Sequence, residues 1–232
     1  KQLPSLQSLN LKGCTGLSEK FIQTLTIQLP QLMELGLADC TQLKTLALTG
    51  AYLRKVDLEG CLQLRELNLL DSPEIQPSAL EALPQLPVLS RFFLTADQFK
   101  NLLTLQQPGF LSQIQSMVVA CPYAALLPLA PDASPEPLLP QLKSLQIIQA
   151  HHLQALPPFQ NLQQLTELEV EGAETLSDPE ILDIRELKNL QSLSLANCPK
   201  LTTISCFHQL AYLQTLCLRG LIGLRSLSLD MN

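Results

Sequence analysis

The sequence predicts an α/β solenoid, a stack of coils that each add one parallel β-strand to a shared sheet. Three observations carry this prediction. A nine-residue phrase, LxxLxLxx closed in its clearest copies by Cys or Asn, returns a dozen times along the 232 residues. Inside the phrase apolar and polar residues alternate (LNL, LGL, LAL, VDL, LSL, LCL), the period of a strand and not the 3.6 of a helix. Between phrases lie stretches with helical spacing, each long enough for one short helix. A lone strand cannot bury its leucines, but stacked coils line them up into a continuous core.

The copies begin at Leu6, Leu32, Leu43, Leu53, Leu64, Leu89, Ile114, Leu142, Leu165, Leu190, Leu213 and Leu224. Most steps are near 25 residues, but from Leu32 to Ser72 the phrase recurs every 10 or 11, which leaves no room for a helix. There both sides of the coil are expected to be strand-like, with the facing side of each copy left open. Among the connectors, SEKFIQTLTIQL sets Phe21, Leu25 and Leu29 on one stripe. SDPEILDIRELKNL offers Asp178 as N-cap, Pro179 at the first helical position, and Ile181, Ile184 and Leu187 inward. ADQFKNLLTL turns Phe99 and Leu102 or Leu103 inward. The segment from Cys121 to Gln141 holds six prolines and reads as an extended connector, with a proline-rich ligand as the other reading.

Composition bounds the function. Leucine makes up about a quarter of the chain, tryptophan is absent and aromatics are 4%, so one side-chain shape fills the core. A net charge of −6 with no run of Lys or Arg disfavours nucleic acid as a partner. Pro122, Pro128 and Pro131 interrupt the longest apolar stretch, so no membrane span is expected. Residues 1–232 are expected to form one domain. The chain opens at Lys1 and closes with LRSLSLDMN on a repeat strand, which reads as a fragment whose end is covered by further repeats or by a partner. Seven cysteines, an odd number with no CxxC pair, predict reduced thiols and a cytoplasmic setting.

No catalytic set emerges. Three histidines (His151, His152, His208) lack the i, i+4 spacing of a helical metal site, and GxSxG, HExxH and glycine-rich phosphate loops are all missing. The expectation is a non-enzyme with no cofactor and no metal. The nine glycines sit mostly at strand ends, as turn residues. Cys14, Cys40, Cys61 and Cys198 fall where the chain leaves a strand, and a small, buried, structural side chain is expected there. Cys217 lies between two inward leucines and should face outward.

The phrase and period resemble the leucine-rich repeat over essentially the whole chain. The resemblance implies a curved horseshoe with a parallel concave sheet and helices or short strands on the convex side. LQSLNLKGC followed by TGLSEKFIQTL resembles the cysteine-containing subtype of F-box adaptors of ubiquitin ligases. The irregular half-length units are similar to those of bacterial effectors delivered into host cells, which would place the chain in host cytoplasm. Both resemblances imply a recognition scaffold.

On an LxxLxL strand the third, fifth and seventh places face outward, and binding is expected there. Arg91 and Phe93, then Val118, then Gln146 and Ile148 follow one another along the chain, with Phe93, Val118 and Ile148 forming an apolar patch. Glu167, Glu169 and Glu171 share one face of one strand and repel one another, a cost that a basic protein partner, or Lys143 or Arg219, relieves. The partner is therefore expected to be a protein, and a basic one suits the acidic strand. The alternative reading is an enzyme accessory or catalytic effector using Cys217 as nucleophile.

Overall fold

The computed structural model describes residues 3–80, 83–103, 108–127, 139–205 and 207–228. Among the described residues, thirteen short strands and two α-helices are joined by turns and 3₁₀ segments. The strands are β1 (Ser8–Asn10), β2 (Glu34–Gly36), β3 (Thr45–Thr49), β4 (Lys55–Asp57), β5 (Glu66–Asp71), β6 (Arg91–Thr95), β7 (Ser116–Ala120), β8 (Ser144–Ile148), β9 (Glu167–Glu171), β10 (Ser192–Ala196), β11 (Thr203–Ile204), β12 (Thr215–Arg219) and β13 (Ser226–Leu227). The helices are α1 (Glu19–Gln28) and α2 (Ala96–Leu103). The chain divides into two compact units, Lys1–Ile114 and Gln115–Asn232.

In the first unit every pairing is parallel, and the half-length phrases alternate between two sheets. β1, β2 and β4 form a three-stranded sheet with Leu9 opposite Leu35 and Leu35 opposite Val56. β3, β5 and β6 pair separately, with Leu46 opposite Leu67 and Leu67 opposite Phe92. Two successive half-steps thus make one coil of 21 residues, since 35 to 56 and 46 to 67 are each 21 apart. Leu35, Leu46 and Leu67 are all buried, so the two sheets enclose one core. Where a strand is missing from a coil, another element stands in. α1 packs against β3, and the 3₁₀ turn Pro77–Leu80 packs against β4. Both sides of these coils are therefore strand-like, and the copies beginning at Leu43 and Leu64 share the sheet that β6 extends.

In the second unit β7, β8, β9, β10 and β12 form parallel neighbours in full register. β11 and β13 make a separate two-stranded pair, with Ile204 opposite Leu227. Leu145, Ile147, Leu168, Val170, Leu193 and Leu195 fill the core at 0–1% exposure.

The coil turns share one backbone device. The eighth residue of the phrase takes a left-handed conformation at Gly13, Asp39, Gly60, Gln149, Gly172, Asn197 and Gly220, with φ between 53° and 74°. That region costs an ordinary side chain roughly 1–2 kcal/mol and favours Gly, Asn and Asp. Stacking tightens the choice. A Cβ at Gly60 would lie 2.2 Å from Asp39 Oδ1, and one at Gly220 would lie 2.3 Å from Asn197 Oδ1. Within the strands, Asn10, Asp57 and Asn68 occupy the middle of LNL, VDL and LNL, where each Oδ1 accepts from the backbone N–H two residues on.

Several expectations are corrected here. In α1 the buried stripe is Ile22, Thr26 and Leu29, while Phe21 is exposed. Ser18 caps the helix by accepting from Phe21 N, which fixes the helix phase and turns Phe21 outward. The connector at 178–186 is a 3₁₀ helix with Ser177, not Asp178, as N-cap. Glu180 accepts from Ser177 N and Oγ, and Pro179 stands in the first turn. Asp178 is thereby released to reach the next coil. Ile181, Ile184 and Leu187 do face inward, as do Phe99 and Leu102 of α2. Of the Cys121–Gln141 connector, residues 128–138 lie outside the described part.

Candidate functional site

The outward face of the second unit's larger sheet is built by strand alternation alone. Each LxL buries its flanking apolar residues and presents the residues between. The register arranges these in rows across the strands. One row runs Ser116, Ser144, Glu167, Ser192, Thr215; the next runs Val118, Gln146, Glu169, Ser194, Cys217. A third places Ala196 between Glu171 and Arg219.

Glu171 and Arg219 stand two strands apart, about 9.5 Å at ordinary spacing. Ala196 between them is too small to intervene, and Arg219 Nη2 reaches Glu171 Oε1 at 3.3 Å. This pair removes one of the three charges on β9. Glu167 and Glu169 have no cationic partner among the described residues; their register neighbours are Ser144 and Ser192, and Gln146 and Ser194. The middle of the face is therefore anionic and flanked by small polar groups. Val118 is only 6% exposed and contributes little contact area, while Ile148 is half-buried opposite Ala120.

In the first unit Arg91 and Phe93 face outward on β6. Arg91 Nη1 lies 3.4 Å from Glu66 Oε2 of the preceding strand, and half-buried Phe93 stands opposite Asn68.

The cysteines divide into two classes. Cys40 donates to Leu11 O at 3.3 Å and Cys61 to Leu37 O at 3.1 Å, so each thiol ties its turn to the coil before. Ser72 does the same to Leu48 O at 3.1 Å with a hydroxyl in the cysteine's place. Cys198 donates to Ala196 O. Burial pushes the Cys40 and Cys198 thiols up from their usual range and the Cys61 thiol to about 11. Cys14, expected to be buried with them, is exposed: it closes the turn after β1, and the thiol donation runs backward along the stack, from Cys40 to the Leu11 carbonyl of that coil. Cys217 faces outward as expected and is exposed, beside Ser194 in register. His151 Nδ1 lies 3.1 Å from Glu174 Oε1. Among the described residues no group of three or more His, Cys, Asp or Glu side chains is placed to hold a metal, and no helix is long and apolar enough to cross a membrane.

No family model matches the sequence, and no curated protein matches it. Solved structures do align with it, and they are leucine-rich repeat proteins. The functional domain of InlJ from Listeria monocytogenes, described as including a cysteine ladder, is 15% identical over 94% of this chain and 64% of its own, at a TM-score of 0.39. An internalin, InlF, from the same organism is 19% identical over 96% and 80%, at 0.34. TLR13, solved as a complex with ssRNA13, is 17% identical over 97% and 41%, at 0.40. The fold is a leucine-rich repeat solenoid. That assignment stands on the parallel strands, the left-handed turns and the turn thiols of this chain itself, because at such identities and TM-scores no residue role passes from those proteins to this one. The chain spans less than two thirds of the InlJ and TLR13 chains.

Proposed function

We propose that this leucine-rich repeat chain is a protein-binding module whose second unit recognises a basic protein segment at Gln146, Ile148, Glu167, Glu169 and Glu171. The observation that carries this reading is the pair Glu167 and Glu169, two like charges on one strand face with no cation beside them among the described residues, next to a Glu171 that does have one. Like charges on one strand repel, and a cationic partner turns that cost into attraction. Arg91 and Phe93, outward on β6, are a separate partner contact of the first unit in this reading.

The finer proposal is that the module serves as the substrate-recognition part of a ubiquitin ligase or of a bacterial effector. It is supported by the resemblance of Leu6 to Leu25 to cysteine-containing repeats and by the half-length coils. The thiols at Cys14, Cys40, Cys61, Cys198 and Cys217 support a reducing compartment, the cytoplasm.

The test is affinity capture with mass spectrometry, followed by binding measurements on the purified partner. Glu167→Lys with Glu169→Lys, leaving the Glu171–Arg219 pair intact, is expected to weaken binding by about ten- to a hundredfold and to flatten its salt dependence. Unchanged affinity in the double variant removes this face from the site.

A further inference from the structure

The backbone ladder between the first three coils runs past the ends of their strands. Asn10, Gly36 and Asp57 are register partners on β1, β2 and β4. Beyond them Gly13 N donates to Ala38 O at 2.8 Å and Asp39 N to Glu59 O at 2.7 Å, so the pairing holds as far as the left-handed turn. One residue further, Cys14, Cys40 and Cys61 stand in one column, one thiol per coil. Neighbouring parallel strands lie about 4.8 Å apart, inside the Cα separation of roughly 4.4–6.8 Å that a disulfide spans.

The thiols of the column differ in access and in the direction they face. Cys40 is fully buried, and its sulfur points back into the first coil, donating to Leu11 O at 3.3 Å and facing the N–H groups of Cys14 and Gly13. Cys61 does the same one coil on, toward Leu37 O and the N–H of Cys40. Cys14 is exposed, so a reagent in solvent reaches it, and its side chain turns about one χ angle without leaving packed neighbours. One accessible thiol thus stands beside a shielded one that is aimed at its own turn.

We propose that Cys14 and Cys40 form a reversible disulfide in response to peroxide, which clamps the first coil to the second. The Cys14 thiolate attacks a peroxide oxygen, the O–O bond breaks, hydroxide leaves, and Cys14 becomes a sulfenic acid. The Cys40 thiolate then attacks the Cys14 sulfur, the S–O bond breaks, and a second hydroxide leaves. The two thiol protons convert both hydroxides to water, so two thiols give up two electrons and one hydrogen peroxide becomes two waters. No reagent enters the core, because Cys40 already faces the Cys14 turn. Cys61 takes no part: solvent does not reach it, and burial pushes its thiol up to about 11. The loop so closed carries α1, and a thiol reductant reopens it by attack at the exposed Cys14 sulfur.

The test treats the full chain with hydrogen peroxide at neutral pH, alkylates the remaining thiols after unfolding, and compares tryptic peptides before and after reduction. Cleavage after Lys12, Lys20, Lys44, Lys55 and Arg65 puts the three cysteines on separate peptides, 13–20, 21–44 and 56–65. A reducible pair of 13–20 with 21–44 is expected to accumulate with peroxide, while 56–65 stays alkylated. Cys14→Ser and Cys40→Ser are each expected to abolish the pair, and Cys40→Ser to leave a Cys14 sulfenic acid that dimedone captures. Serine suits that turn, since Ser72 fills the matching place in the other sheet and donates to Leu48 O at 3.1 Å. Cys61→Ser is expected to keep the pair. In the bridged chain the Leu11 and Gly13 amides, which donate to Gly36 O and Ala38 O, are expected to exchange roughly tenfold more slowly. The proposal is overturned by absence of the pair, by Cys14 advancing to sulfinic acid beside a free Cys40, by pairing only between two chains, or by an equal yield of Cys40 with Cys61. Unchanged exchange at Leu11 and Gly13 overturns the clamp.

Discussion

At the scale of single residues, a cysteine and a glycine at one turn show how the phrase is read by the fold. Cys61 is buried and donates to the carbonyl of Leu37, and Gly60 beside it holds a left-handed backbone under the Asp39 side chain of the preceding turn. Gly60→Ala adds both a strained φ and a Cβ without room, and is expected to destabilise by about 2–3 kcal/mol in urea unfolding. Thiol reactivity separates the two cysteine classes. In native protein at neutral pH, Cys14 and Cys217 are expected to react at the rate of ordinary free thiols and Cys40, Cys61 and Cys198 only on unfolding, as mass spectrometry after alkylation will show. A much faster Cys217 would favour the nucleophile reading. Because the folded thiol of Cys61 ionises near 11 and its unfolded form near 9.0, its contribution to stability is complete below pH 9 and lost as pH rises through 11. The sequence places the turn and its small residues correctly. It does not show that Cys14 is exposed, because the phrase is identical whether or not a neighbouring coil covers the thiol.

At the scale of elements, the 178–186 connector illustrates how a misread cap hides a tie between coils. DPE after Ser177 fits an N-cap at either Ser177 or Asp178 by residue type. The structure gives the cap to Ser177, and the Asp178 carboxylate accepts from Thr202 N at 2.7 Å, from Thr202 Oγ1 and from Thr203 N at 3.0 Å. Burial raises this carboxyl, but the three hydrogen bonds outweigh it and hold the group below its ordinary range. Asp178→Ala is expected to cost about 1–3 kcal/mol at pH 7. The sign of the pH effect follows from the lowered folded value. Asp178 contributes fully above the unfolded carboxylate value of about 3.9, and the contribution fades as pH falls through the folded one, so parent and variant should converge in acid. α2 carries a comparable tie that its sequence signals. In TADQ, Gln98 Oε1 accepts from Thr95 N at 2.8 Å and Thr95 Oγ1 accepts from Gln98 N at 3.2 Å, the pattern of a capping box. Its buried amide also donates to Leu69 O and Ser72 O, a use that no local pattern announces.

At the scale of the whole molecule, the strands were legible because every copy of LxL repeats one constraint, two apolar residues on one side of a strand. All but one of the twelve marked copies lie on strands with at least three residues; the copy beginning at Leu224 lies on the two-residue β13. Which sheet a copy joins was not legible, because the phrase is the same in both and only the count of residues between phrases differs. The candidate face was legible to the same extent. Alternation gives the outward residues of β9, but the Arg219–Glu171 contact depends on a small residue at Ala196 on a third strand, a coincidence of register that no single repeat contains.

The alternation of half-length phrases also sets a parity rule for changes of length between Leu32 and Ser72. Excision of one half-step, such as residues 43–52, sends every later copy to the wrong sheet and exchanges strands that carry different outward residues. Excision of 21 residues, such as 45–65, removes one strand from each sheet and returns β5 to the place of β3. The second variant is expected to keep a cooperative thermal transition and the first to lose it, as circular dichroism melts will show. In this stretch length is tolerated in quanta of one coil, and a family of such chains should vary there by whole turns of 21 and not by single phrases.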